Sequence, residues 1–387
     1  MDDSEEPVNP FQFMLSDIAK ALGAANVDPS ELRQQFSALA LGAGGGYDSV
    51  DPSLRSRVEP LWEIAVRYVS GVPLAANLLP PSPPTLVIQR PSEYAEAFLR
   101  DLGPYLDMLA QSLAGSLPGT MGVAPAQMGD LASLAASLSA QIGPMFANSQ
   151  VGSICGHYAL GALSDYDLVL PRPKRNALAL AVSAIARQAE RVGAPLEEVA
   201  LYLMMRELVV SAVAWQPAIA DRYDTQLRLY LLDLKADAAR LIERMSQGAL
   251  SDPDFLANFD PATLLTQEQS PAQQSNLAEM ATTLAFIEAV AILAVGQIRT
   301  SVFGNSQWIE RLGESRDEEP ARAMLASTLG IDLSEARERA RRFAHVLRDA
   351  DQALDALFAV FSDADKFPSP QEFDDPQIWL LRLQVEG

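Results

Sequence analysis

Apolar residues recur at intervals of three and four along most of the chain, which is the period of an α-helix. Proline follows a possible capping residue at Asp51-Pro52, Ser270-Pro271 and Ser369-Pro370, as it does where helices begin. The pattern therefore predicts an all-α, predominantly helical fold. The stretches with the clearest helical period are Val58 to Val69, Tyr94 to Leu113, Leu131 to Ile142, Asn176 to Val192 and Ala336 to Phe361.

A strand-like pattern is confined to Thr85 to Ile88, after a proline-rich turn. The chain has no stretch typical of an interdomain linker, so we expect a single domain. Within it we expect an N-terminal helical layer over residues 1–145 and a central helical core over residues 146–387. The charged segment from Gly313 to Glu319 is predicted to be solvated.

Two further stretches, Leu196 to Trp215 and Leu284 to Ile298, are apolar on every face. Such helices normally lie at the centre of a domain. The first carries Arg206 and Glu207 in its middle, and the only charge in the second is Glu288. Because an isolated buried charge is strongly unfavourable, we predict that the three side chains meet in an internal ion pair. The alternative is that one or more of them reaches the surface.

The composition limits the function. The 387 residues include 50 acidic and 29 basic side chains, so the formal net charge is −21. A chain this acidic repels nucleic-acid phosphates, and no nucleic-acid partner is expected.

The N-terminus does not resemble a secretory signal. The longest apolar stretch is shorter than the about 20 residues of a membrane span, so we expect no span and a cytoplasmic location.

The two histidines, His157 and His345, lie too far apart in sequence for a zinc-binding helix of the H-E-x-x-H type. His345 is flanked by arginines and is predicted to lie on a solvated helix face. Asp165 and Asp167 could bind a metal or transfer protons. Their Ser-Asp-Tyr-Asp sequence is more typical of a turn that forms its own backbone hydrogen bonds.

Cys155 is the only cysteine, so no intramolecular disulfide can form. Cys155 and His157 would point about 200° apart on a helix and would not form a thiolate–imidazole pair. The glycines at 152, 156 and 161 instead predict a face of small residues that lets another helix approach closely.

Short motifs in several of the predicted helices resemble, in their order and spacing, those of a known family. They are Asn9 to Phe13, Leu61-Trp62 with Ser70 to Pro73, Met145-Phe146 with Gln150 to Gly152 and Gly161 to Leu163, Asp167 to Pro171, Leu201 to Leu203 with Arg206-Glu207, Phe286 to Glu288, and Phe367-Pro368 with Asp375-Pro376 and Trp379. The family is an actinobacterial one of zinc-dependent metalloproteases and hydrolase-like proteins, with relatives associated with deazaflavin coenzyme biosynthesis. The resemblance covers most of the chain and implies a zincin-like central pair of helices.

The resemblance also identifies departures from the zinc-binding pattern. In zinc-competent relatives the central helix carries H-E-x-x-H, in which two histidines bind the metal and the glutamate is the general base. Aligned on Arg206-Glu207, this chain has Arg206 and Val210 at the ligand positions and keeps Glu207. Aligned without a gap on Trp215, it has Tyr202 and Arg206 there. In the later helix, relatives have polar residues where Val290 stands here.

The leading hypothesis is a catalytically degenerate member of this family that acts as a binding or scaffold protein. We expect no metal at the degenerate ligand positions Arg206, Val210 and Val290, and no cofactor. The partner would be a protein, a peptide or a second copy, with the oligomeric state left open.

The alternative is an active, peptidase-like hydrolase. It would use Glu207 and Glu288 as a carboxylate pair, or a metal held by Asp and Glu oxygens. An open cleft lined by both glutamates would favour the alternative, and a sealed core the hypothesis.

Overall fold

The computed structural model describes residues 28–43, 49–116, 129–248, 270–350 and 352–386. The motif from Asn9 to Phe13 lies outside the described residues. The described chain is predominantly helical, which confirms the predicted all-α fold. Its buried hydrophobic side chains form one connected core, as expected of a single domain. The division into residues 1–145 and 146–387 remains a prediction.

The helices and strands follow one another along the chain with short connections. The first part contains α1 (Pro29–Ala43), α2 (Pro52–Val58), α3 (Leu61–Ser70), α4 (Pro73–Ala76), β1 (Thr85–Ile88), α5 (Pro91–Asp101), α6 (Gly103–Ser116), α7 (Gly129–Gly161), β2 (Ala177–Leu180) and α8 (Val182–Val192). The second part contains α9 (Leu196–Ala214), α10 (Pro217–Gly248), α11 (Pro271–Phe303), α12 (Trp308–Asp317), α13 (Pro320–Thr328), α14 (Leu333–Arg348), α15 (Ala353–Ser362), a 3₁₀ turn (Ala364–Lys366), α16 (Pro370–Asp374) and α17 (Pro376–Glu386).

Capping side chains begin several of these helices where the sequence predicted them. The side chains of Asp51, Ser270 and Ser369 each accept a hydrogen bond from a free backbone N–H of the first helical turn, and proline follows each of them. The long predicted helices are interrupted in three places. The breaks fall between α2 and α3, between α5 and α6, and between α14 and α15. Proline contributes to the first of these, since Pro60 has no N–H to donate.

The predicted strand β1 is confirmed, but the predicted helix from Asn176 to Val192 is wrong in its first part. Ala177 to Leu180 forms β2, which pairs in parallel with β1 in the register Thr85 to Ala177. Four alternating Ala and Leu residues are compatible with either structure, because a short apolar run has no distinctive period.

The face of small residues on α7 is in contact with α1, as predicted. A Cβ atom at Gly152 would lie 2.4 Å from the carbonyl oxygen of Arg33, and one at Gly156 would lie 2.5 Å from that of Ser37. Cys155 lies fully buried in the same helix, and burial raises the pKa of its thiol to about 12. Cys155 is therefore a protonated packing residue.

Helices α9 and α11 form the centre of the molecule and pack against each other. Both predicted apolar helices are thus confirmed. Among the described residues, α11 is the one helix long and apolar enough to cross a membrane, but 67% of its apolar window is buried inside the protein. This burial is typical of a core helix. Because α9 and α11 carry the three central charges, their packing also builds the candidate site.

Candidate functional site

Arg206 links the two central helices through their charged side chains. Its Nη1 donates to Oε1 of Glu207 at 3.1 Å, and its Nη2 donates to Oε1 of Glu288 on α11. The same Nη1 also donates to the carbonyl oxygen of Tyr166 at 3.0 Å. The predicted meeting of the three charges is therefore confirmed. Both neighbouring carboxylates stabilise the guanidinium, and the pKa of Arg206 is raised although burial alone would lower it.

Glu207 is completely buried behind this arginine. Its Oε2 accepts a hydrogen bond from the backbone N–H of Tyr166 at 2.9 Å, and its exposed fraction is 0%. Burial raises the pKa of Glu207 to about 7, against the lowering effect of Arg206. The carboxyl group therefore changes its charge near neutral pH, inside the core.

This shift makes the stability of the protein depend on pH in a defined direction. The folded protein keeps the proton of Glu207 at pH values where the unfolded chain, with an ordinary pKa of 4.5, has lost it. The contribution of Glu207 is fully present below the unfolded pKa and is lost as pH rises through about 7. We expect the free energy of unfolding of Glu207→Gln to fall less over this interval than that of the wild type. Urea unfolding at several pH values measures the free energy of unfolding of both proteins. If that free energy changes with pH equally in the wild type and in Glu207→Gln, Glu207 does not titrate this way.

The turn that holds Tyr166 also carries a second buried ion pair. Asp167 receives two hydrogen bonds from Arg316 of α12, at 3.1 Å from Nε and 2.5 Å from Nη2. Arg322 donates to the Asp167 carbonyl oxygen at 3.1 and 2.8 Å. Burial opposes ionisation, but Arg316 and Arg322 outweigh it and lower the pKa of Asp167.

The two aspartates of this turn serve different partners. The Asp167 N–H donates to the Ser164 carbonyl oxygen, which confirms the predicted turn. The Asp165 carboxylate accepts from the N–H of Ala179 at 2.7 Å and so anchors β2. The two carboxylates therefore have different hydrogen-bond partners, the backbone of β2 for Asp165 and Arg316 for Asp167. Sequence reasoning missed Arg316 and Arg322, the arginine partners of Asp167.

A cavity of about 630 Å³ opens beside Arg206, between α9, α11, α12 and α14. Glu288 lines it and is 22% exposed, whereas Glu207 is not among its lining residues. Tyr202, one of the alternative ligand positions, also faces this cavity. The two glutamates are thus separated, with one at the cavity wall and one sealed in the core.

Helices α12 and α14 form the arginine-rich side of the cavity. The prediction that Gly313 to Glu319 is solvated is wrong in part, because Arg316 is buried, whereas Glu314 and Glu318 are exposed. Arg337 and Arg341 of α14 line the same cavity. The sequence signal for this wall is the spacing of four residues between these arginines, which puts them on one helix face.

The histidines lie away from the central charges. His345 is exposed on α14, as predicted, and does not line the cavity. His157 is exposed on α7 and lines a different cavity, together with Arg187 and Arg191. Val210 and Val290 are fully buried apolar residues. Of Arg206, Val210 and Val290, the residues that the resemblance places at the ligand positions, Arg206 alone is charged.

The sequence matches the family of zincin-like metallopeptidases over residues 31–380, which is most of the chain. The chain belongs to this zincin-like metallopeptidase family. The fold is also similar to that of a crystal structure from Chloroflexus aurantiacus, described as "a putative hydrolase with a novel fold". That chain is 16% identical and has a TM-score of 0.56, and the match covers 92% of this chain and 99% of the other. No curated protein matches this chain.

Zincin-like metallopeptidases are expected to hold a zinc ion, so the donor atoms at the site must be compared with what zinc requires. A catalytic zinc takes three protein ligands from histidine, cysteine or carboxylate side chains. Within the described ranges, no group of three such side chains is placed to hold a metal. At the positions that the resemblance implies for the ligands stand the Arg206 guanidinium, which repels a cation, and either Val210, whose side chain has no donor atom, or Tyr202 in the second alignment. The residues present there do not fit a zinc site.

Proposed function

We propose that this zincin-like protein is a catalytically degenerate member of its family and acts by binding, as a scaffold for a protein or peptide partner or a second copy of itself. The observation that carries this proposal is the bond of Arg206 to both Glu207 and Glu288. The proposal includes a cytoplasmic location, which the burial of α11 supports.

The first argument is electrostatic. A guanidinium presents five N–H donors and no lone pair, so it cannot act as a metal ligand. In the alignment on Arg206-Glu207, it occupies the position of the first zinc ligand and places a positive charge there. The two glutamates then neutralise an internal cation, and a metal ion would have to displace a guanidinium that they already bind.

The second argument concerns access. A general base must come within hydrogen-bond reach of the water it activates. Glu207 is fully buried and its two oxygens are bound to Arg206 and to the backbone of Tyr166. Glu288 reaches the cavity but is held by the same arginine. The two carboxylates therefore do not face one substrate together.

The alternative, a peptidase-like hydrolase, is favoured by one observation. The pKa of Glu207, raised to about 7 by burial, is suited to a general base at neutral pH. Membership of a metallopeptidase family adds to this alternative.

A hydrolysis assay separates the two functions. The full chain is incubated with zinc and a mixture of peptides, and the products are identified by mass spectrometry. The proposal predicts the same peptide profile for the wild type, for Glu207→Gln and for Glu288→Gln, each shown by circular dichroism to be folded. Cleavage by the wild type that both variants lose would establish the hydrolase and refute the scaffold.

A further inference from the structure

We propose that the cavity beside Arg206 binds a small organic phosphate, whose negatively charged head is held by Arg337, Arg341 and Arg348 of α14. This inference rests on the proposed function and deepens it, because it names the ligand class of the same site. It requires Arg206 to remain a cation, as the proposed function does.

The charge of the cavity is opposite to that of the protein. Seven of its described lining side chains are arginines and four are carboxylates, whereas the whole chain has 29 bases and 50 acids. Basic residues are thus concentrated on this wall of an otherwise acidic protein. Such a cavity attracts anions, and the acidic outer surface does not compete with it for them.

Two carboxylates of α12, those of Glu310 and Asp317, are each shared between two arginines. Glu310 is bound by Arg299, at 3.0 Å, and by Arg341. Asp317 is bound by Arg322 at 3.2 Å and by Arg337 at 2.8 Å. One negative charge therefore serves two positive charges at both points, and the wall keeps a surplus of positive charge and of donors.

Two of the cavity arginines, Arg337 and Arg348, keep N–H donors that no described carboxylate occupies. The Nη1 atom of Arg337 is buried and has no hydrogen-bond acceptor in the described part of the chain. It lies against Gly313, where a Cβ atom would be 2.8 Å from it. Arg348 is exposed at the cavity edge, and no described carboxylate lies within ion-pair distance of it. A buried donor without an acceptor is unfavourable and calls for a partner.

The positions of these arginines suit phosphate. Residues 337, 341 and 348 are separated by four and seven positions, so they share one face of α14. Guanidinium groups bind phosphate oxygens through paired hydrogen bonds. The cavity of about 630 Å³ is far larger than one phosphate ion, and Ile292 and Val295 give it an apolar wall. That wall accommodates the organic part of the ligand.

Titration calorimetry of the full chain with phenyl phosphate, at fixed ionic strength, tests this inference. We expect saturable binding at one site per chain, weakened at least about tenfold in Arg341→Gln/Arg348→Gln, because two phosphate contacts are lost. The matched control is Arg342→Gln. Arg342 lies on the same helix, is 64% exposed and pairs with Glu338, and it does not line the cavity. We expect this control to bind as the wild type does.

A second variant tests the place of binding without changing charge. A Cβ atom at Gly296 meets no atom within 4 Å, and this glycine lines the cavity. We expect Gly296→Phe to fill the space and abolish binding while the circular dichroism spectrum is unchanged. Benzoate, which has the same ring with a single negative charge, should bind at least about tenfold more weakly than phenyl phosphate.

Several results would overturn the inference: no saturable binding, equal loss in Arg342→Gln, unchanged binding to a folded Gly296→Phe, or equal affinity for benzoate. Each of these would leave the proposed scaffold function standing. Release of phenol during the titration would instead show hydrolysis and contradict the proposed function. Different observations would therefore contradict the phosphate-binding inference and the proposed scaffold function.

Discussion

Replacing Arg206 with methionine is expected to lower the free energy of unfolding by about 3 kcal/mol, a typical loss when one partner of a buried ion pair is removed. Methionine keeps most of the length and apolar surface of the side chain. The variant leaves Glu207 and Glu288 without their common cation, and Glu207 is fully buried. Urea unfolding followed by circular dichroism at constant pH measures the loss.

Two further variants serve as controls for the Arg206→Met result. Arg342→Met removes an exposed arginine and should change the free energy of unfolding by less than about 0.5 kcal/mol. Arg206→Met/Glu288→Gln removes both partners of the interhelical pair and should recover part of the loss, since it strands one carboxylate fewer. An Arg206→Met protein that unfolds at the wild-type urea concentration would show that the internal pair does not stabilise the fold.

The second large effect is expected at Asp167. Asp167→Asn should lower the free energy of unfolding by about 3 kcal/mol, because it removes the charge that Arg316 and Arg322 share in the core. The pKa of Asp167 is lowered in the folded protein by these arginines, which outweigh burial. Its stabilising contribution is therefore present above the unfolded pKa and lost as pH falls through the folded pKa. The variant should show a shallower loss of stability on acidification.

A surface pair provides the control for Asp167. Glu338→Gln breaks the contact with Arg342, in which both side chains are more than 60% exposed. We expect it to change stability by less than about 0.5 kcal/mol and to leave the acid transition as in the wild type. If Asp167→Asn behaves like this control, the buried pair contributes nothing net to stability.

The central helices and their charges can be predicted from sequence for a definite physical reason. Helices α9 and α11 are apolar on every face, which places them in the core whatever the rest of the fold is. The three charges in the apolar central stretches of these helices have few partners available other than one another. The ion pairs of Arg206 with Glu207 and with Glu288 are predicted because the core offers few other partners, and the structure confirms them.

The pair between Asp167 and Arg316 could not be predicted in this way. Its partners are 149 positions apart, and Arg316 lies in a segment whose charge is typical of a solvated helix. The cavity was missed for the same reason, because its wall is made by α12 and α14. Their arginines resemble surface residues until the tertiary packing brings the two helices together. The strand β2 was missed because four consecutive apolar residues show no distinctive period.

The central claim is that the Arg206 guanidinium takes the place of a metal. Elemental mass spectrometry tests it most directly, on tag-free protein purified without chelator, incubated with zinc and dialysed. We predict a ratio near zero zinc ions per chain. A ratio near one, retained in dialysis and lost in Glu207→Gln or Glu288→Gln, would mean that these carboxylates bind zinc and would contradict the account.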